Sequence, residues 1–219
     1  MELKGKKINF LGDSITEGVG ASASDRVYWR LIAERTGAIC RGYGISGTRI
    51  ARQFTPTVDQ PSFDLDFCRR ALEMDDDADI VVVFGGTNDF GHGDAPIGTM
   101  ADRTPDTFCG GLHTLYRELV EKYPSSAIVI LTPLHRCNED NPRGDGNKPQ
   151  DVGVLKTYVE LIREAAEYYS LPVLDLYACS GIQPKIPIMQ EKYMPDGLHP
   201  NDAGYSILAD KLIAFLRAL

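Results

Sequence analysis

Residues 80–84, Ile-Val-Val-Val-Phe, are wholly apolar and run straight into Gly85-Gly86. A strand with no polar alternate position has no solvent face, so it has to be covered on both sides, which is the situation of a central strand in a parallel sheet. The surrounding pattern agrees. Short buried strands are predicted at Lys6–Leu11, Ile39–Arg41, Ile128–Leu131 and Val173–Asp175, and helices at Tyr28–Thr36, Phe63–Met74, Thr107–Tyr123, Val154–Tyr169 and Ala203–Leu219. Strands alternating with helices predict a parallel sheet with helices on both faces. The chain of 219 residues contains no linker, repeat or low-complexity segment and is expected to be one domain over 1–219.

Ligands of open α/β sheets bind outside the carboxyl ends of the strands. Gly12-Asp13-Ser14 follows the first predicted strand, which puts Ser14 at such an end. A serine hydroxyl is nearly unionised at neutral pH and needs a neighbouring base to take its proton as it attacks. Near the other terminus, Asp196-Gly197-Leu198-His199 sets a carboxylate and an imidazole three residues apart before Pro200. One turn of backbone can present both side chains to the same side, and the carboxylate can fix the tautomer of the imidazole and stabilise its cation. A cap or surface pair is the bland alternative for that spacing, and a turn or cap for Ser14.

Asn88, in Gly86-Thr87-Asn88-Asp89, follows the apolar strand and can donate its amide to a developing oxyanion. Gly42-Tyr43-Gly44-Ile45-Ser46-Gly47 offers a backbone N–H at Gly47 for the same crevice. It also spells G-x-G-x-x-G with Asp64 and Asp66 downstream, so dinucleotide binding is a rival. Against that rival, the segment reaches Thr55-Pro56 too soon for a long helix to begin after Gly47.

At these four segments the chain resembles the SGNH hydrolases, also called the GDSL esterase/lipase family. Gly12-Asp13-Ser14 with Gly18 is similar to the nucleophile block, Ile45-Ser46-Gly47 to the second, Gly86-Thr87-Asn88-Asp89 to the third and Asp196-Gly197-Leu198-His199 to the fourth. The resemblance implies a flavodoxin-like fold, a three-layer α/β/α sandwich on a central, mostly parallel five-stranded sheet. It also implies a serine esterase with Ser14 as nucleophile, His199 as base and then acid, and Asp196 as its orienter. The oxyanion would be held by the Ser14 and Gly47 amides and the Asn88 side chain, with no cofactor and no metal. A non-catalytic glycan-binding relative is the reading from another class.

Further contacts to substrate are assigned as candidates to Asp13, His92, His135 and Arg136, with a supporting turn contact preferred for Asp13. Residues 138–150 read as a long polar loop, a candidate lid. Its polarity favours a small soluble ester, such as an O-acetyl group on a sugar, over an interfacial lipid. Arg49, Arg52 and Arg136 keep a lysophospholipid headgroup as the alternative.

Basic residues number 23 and acidic residues 31, a net charge of −8 with no basic stripe, so nucleic acid is not an expected partner. Asp75-Asp76-Asp77-Ala78-Asp79 reads as a solvated connection. The 5 cysteines are odd in number and spread, without C-x-x-C, and are expected to be reduced and mostly buried. With no signal-peptide pattern and no membrane-spanning stretch, a cytoplasmic location without membrane association is expected.

Overall fold

The computed structural model describes residues 1–146 and 148–219; Asn147, within the loop predicted over 138–150, lies outside them. Strands β1 (Lys7–Gly12), β2 (Ile39–Gly44), β3 (Ile80–Phe84), β4 (Ala127–Leu131) and β5 (Val173–Leu174) form one sheet in the order β2-β1-β3-β4-β5. Every neighbouring pair is parallel. This is the doubly wound, flavodoxin-like order, and its switch point lies between β1 and β3.

The helices are α1 (Ser14–Glu17), α2 (Tyr28–Thr36), α3 (Phe67–Leu72), α4 (Thr87–Gly91), α5 (Phe108–Lys122), α6 (Leu155–Tyr168), α7 (Leu176–Cys179), α8 (Pro187–Tyr193) and α9 (Asp202–Ala218). Side chains alternate across the sheet, so each strand feeds two cores. Ile8, Phe10, Val82 and Val129 pack with Leu31 and Ile32 of α2 and Leu208 and Leu212 of α9. Leu11, Val81, Val83 and Ile130 pack on the other face with Phe67 of α3, Leu112 and Leu115 of α5, and Val159 and Ile162 of α6. The central strand β3 is buried at all five positions, as its lack of polar residues requires. Among the described residues, no helix is long and apolar enough to cross a membrane.

Several local expectations are revised. The helix predicted over 63–74 is a 3₁₀ turn at Pro61–Asp64 followed by α3, because the Asp66 side chain accepts from Arg69 N at 2.9 Å and starts the helix there. No α-helix follows Gly47 before α3. The glycines of the G-x-G run serve packing instead: a Cβ on Gly42 would meet the Trp29 ring at 2.5 Å, and one on Gly44 would meet Glu17 N at 2.1 Å. Asp64 accepts from Thr57 N and Oγ1, each at 2.7 Å, so neither acid is free for a ribose. The acidic run is more than a solvated connection, since Asp79 accepts from Lys7 N at 2.8 Å and Asp77 pairs with Lys7 and Arg41. Cys68 and Cys109 are buried, Cys40 is half-buried and Cys137 and Cys179 are exposed, all five as free thiols.

Helix α9 brings the C-terminal region back to the start of the chain. Its Tyr205 hydroxyl lies 2.9 Å from Ile15 O and 2.8 Å from Val19 O, sharing its one proton between the end of α1 and the turn beyond. Asp202 accepts from Ser22 N at 2.8 Å and Ser22 Oγ at 2.6 Å. Tyr205→Phe removes that donor from both carbonyls and leaves the buried one, of Ile15, without it. It is expected to reduce stability by about 1–3 kcal/mol in urea unfolding; a loss within about 0.3 kcal/mol of zero would show that α9 holds α1 by apolar packing alone.

Candidate active site

The chain leaves β1 at Gly12, where a Cβ would sit 1.9 Å from Thr16 Oγ1; only glycine lets α1 fold back so closely over the strand. Asp13 then caps α1, its Oδ1 accepting from Ile15 N at 3.0 Å. Burial pushes the Asp13 carboxyl up to about 7, against the downward pull of the Ile15 N–H and the Arg70 guanidinium. Asp13 thus supports the turn and does not line the cleft beside Ser14. Ser14 is the first residue of α1, and Trp29 Nε1 donates to Thr16 O at 2.9 Å to hold that short helix from below.

The fourth motif forms its own tight loop. Asp196 Oδ1 accepts from Leu198 N at 2.9 Å and His199 N at 2.7 Å, folding the backbone so that Oδ2 reaches His199 Nδ1 at 2.6 Å. Gly197 has φ +77°, and a Cβ there would lie 2.5 Å from Cys137 Sγ, so glycine is required on both counts. His199 Nε2 lies 3.0 Å from Ser14 Oγ. Partial burial would raise the Asp196 carboxyl, but the hydrogen bonds from His199 and Leu198 outweigh it and hold the group below the usual carboxylate range. An ionised carboxylate only accepts, so the imidazole proton belongs on Nδ1 and the Nε2 lone pair faces the serine hydroxyl.

Across the cleft stand the residues following β2 and β3. Gly47 has φ +73°, and a Cβ on it would meet the Phe63 ring at 2.4 Å. Ser46 N donates to Glu17 Oε2 at 2.7 Å, and the Ser46 hydroxyl donates to the same oxygen, which ties this loop to α1. Asn88 Nδ2 donates to Thr48 O at 3.0 Å, which orients the amide and leaves its second N–H for the cleft. Gly47 and Asn88 line one cleft with Ser14 and His199, of about 280 Å³.

Two buried charges fix the loops behind this wall. Arg70 donates to Gly12 O at 3.0 Å, to Tyr43 O and to Thr48 Oγ1 at 2.8 Å, binding the ends of β1 and β2 together; burial lowers its guanidinium to about 10. Asp89 accepts from Ile50 N at 3.0 Å and Ala51 N at 2.9 Å, and burial raises its carboxyl.

The candidate substrate contacts divide. His92 lines the cleft, with Nδ1 3.4 Å from Asp145 Oδ2 and Nε2 3.3 Å from Gly47 O. His135 does not: it stacks on Tyr177 with centroids 3.9 Å apart and pairs with Glu139 at 2.7 Å, facing a separate surface hollow. Arg136 is buried, spent on Asp145, on Asn138 Oδ1 at 2.7 Å and on Thr87, so it cannot reach a substrate in the cleft. Arg49 is buried too, donating to Phe63 O at 3.0 Å, and Arg52 borders a different hollow. Among the described residues, the cleft is lined by no arginine. The described part of the 138–150 loop does not line it either; Asp145 meets His92, and Lys148 donates to Asp89 O at 2.6 Å behind the wall. Val19, Ser46, Phe63 and Leu198 complete the lining. Phe63 is the first residue of the helix predicted over 63–74, and no spacing in the sequence marks it for the cleft.

Residues 10–207 match the GDSL-like Lipase/Acylhydrolase family model. A GDSL lipase of Mycobacterium tuberculosis is 26% identical over 215 residues, spanning 92% of this chain and 78% of its own. A crystal structure of a Lactobacillus plantarum protein is similar with a TM-score of 0.84 and 28% identity, covering 98% of both chains. That of a carbohydrate acetylesterase family member from Sinorhizobium meliloti shares the fold, with a TM-score of 0.65 and 18% identity over 97% of this chain and 98% of its own.

The depressed Asp196 carboxyl has a consequence for stability. A folded-state value below the unfolded one contributes stability that is present above about pH 4 and is lost as the pH falls through the folded value. Asp196→Asn is therefore expected to melt below wild type at pH 7, with the difference closing as the pH falls below about 4. A difference of constant size across thermal melts from pH 7 down through that fall would contradict the stated hydrogen bonding of the Asp196 carboxylate.

Proposed function

Because the chain belongs to the GDSL-like lipase/acylhydrolase family, we propose that it hydrolyses a short-chain carboxylic ester with Ser14, His199 and Asp196 as a triad. The observation that carries this reading is the unbroken relay from Asp196 Oδ2 through His199, at 2.6 Å, to Ser14 Oγ, at 3.0 Å.

In the first half of the reaction Ser14 Oγ bonds to the ester carbon while its proton passes to His199 Nε2, and Asp196 stabilises the resulting imidazolium. The carbonyl electron pair moves onto oxygen, which the Ser14 and Gly47 N–H groups and the Asn88 amide receive. The tetrahedral centre collapses, the bond to the alcohol oxygen breaks, and His199 returns its proton to that oxygen. Water then attacks the acyl-serine, giving a proton to His199; the acid departs and Ser14 Oγ recovers its hydrogen.

The cleft supports a small substrate. At about 280 Å³ it lies at the lower edge of the range for small-molecule sites, enough for a short acyl group and the atoms beside the scissile bond. An O-acetyl group on a carbohydrate or other small molecule fits this size. The lysophospholipid alternative wanted cations for a phosphate, and Arg49, Arg52 and Arg136 all point elsewhere. A non-catalytic glycan-binding role leaves the aligned Ser14–His199–Asp196 relay without a use.

Hydrolysis of p-nitrophenyl acetate tests the assignment. Ser14→Ala is expected to keep its fold and lose kcat on the order of 10⁴-fold or more, and Asn88→Ala to lose kcat about 100- to 1,000-fold with KM little changed. Wild-type turnover by folded Ser14→Ala would remove the mechanism.

A further inference from the structure

A tetrahedral carbon on Ser14 Oγ has three other substituents, and the cleft assigns a direction to each. The oxyanion points to Gly47 N and Asn88 Nδ2. The alcohol oxygen must lie within reach of His199 Nε2, on the side walled by Leu198 and by Val19; Val19 adjoins Gly20, whose absent Cβ would sit 3.2 Å from His199 Cβ. The acyl substituent takes the direction that remains, and there the lining residues are Phe63, His92 and Ser46, the last with its hydroxyl bound to Glu17.

That wall is built rather than incidental. The Phe63 ring covers Gly47 so closely that a Cβ on the glycine would lie 2.4–2.5 Å from three of its ring atoms. Its backbone is held on both sides: Phe63 N donates to Gln60 O at 3.0 Å, and Phe63 O accepts from the buried Arg49 at 3.0 Å. Next to it stands His92, with ring centroids 6.2 Å apart. Both His92 nitrogens are turned to protein oxygens, of Asp145 and Gly47, and what remains for the cleft is carbon. The wall is thus mainly carbon and is fixed from behind.

We propose that Phe63 sets the acyl-chain length the enzyme accepts, acting as the end wall of an apolar subsite that admits acetyl and excludes chains of more than about four carbons. The proposal rests on the triad reading above, and its test separates the two. Wild type, Phe63→Ala, Phe63→Trp and Ser14→Ala are assayed for kcat/KM on p-nitrophenyl acetate, butyrate and octanoate. Removing the ring is expected to raise the octanoate-to-acetate ratio by at least about 10-fold, and enlarging it to lower the butyrate-to-acetate ratio, since each methylene in an apolar pocket is worth about 10-fold or more in discrimination. A residue that merely supported the Gly47 loop would change all three esters together. Ratios within twofold of wild type in both folded variants overturn the proposal while Ser14-dependent turnover leaves the triad standing. If Phe63→Ala fails to fold, Phe63→Trp alone decides. Wild-type turnover by Ser14→Ala overturns both.

Discussion

Parallel pairing of β1 with β2 and with β3 is the constraint from which the site follows. Because the three strands run the same way, their carboxyl ends share one edge, and the loops leaving that edge carry Ser14, Gly47 and Asn88. The contact from Ser14 to His199 spans 185 positions of sequence. It exists because α9 packs beside α2 on one face of the sheet and its first turn delivers the preceding loop to the same edge. Tyr205, reaching from α9 to the carbonyls of Ile15 and Val19, makes that delivery specific.

Polar groups buried beneath the edge convert a shared location into fixed geometry. A buried charged group is costly unless it is hydrogen-bonded, and both main ones here make several hydrogen bonds. Arg70 takes carbonyls from the ends of β1 and β2, and Asp89 takes two successive N–H groups of the Ile50-Ala51 segment. Glu17 links α1 to Ser46, and Asn88 is oriented by Thr48 O. Ser14, Gly47 and Asn88 are thereby tied to one another through the protein as well as across the cleft, which is the preorganisation that the proposed oxyanion stabilisation requires.

The apolar run of β3 makes the parallel sheet legible; Ser14, Gly47 and Asn88 are singled out by their places after strand ends and Asp196-x-x-His199 by the spacing of its carboxylate and imidazole, and the structure brings these residues together. The one-turn helices α1 and α4 were not, since four or five residues carry no period. His135 and Arg136 were misplaced for a different reason. They do follow a strand's carboxyl end, but past Leu134 the side chains are claimed by Tyr177, Glu139 and Asp145, partners far apart in sequence that no local pattern announces. Phe63 was hidden likewise: its place in the cleft depends on Asp66 ending the 3₁₀ segment and starting α3, and on Arg49 holding its carbonyl.

Covalent trapping tests the central claim, that Ser14 is the nucleophile activated by His199. A fluorophosphonate phosphonylates an activated serine with loss of fluoride, and peptide mass spectrometry locates the adduct. If the relay works as described, wild type carries the adduct on Ser14 and His199→Ala carries almost none. Labelling of a different serine, or undiminished labelling of Ser14 without His199, would contradict it.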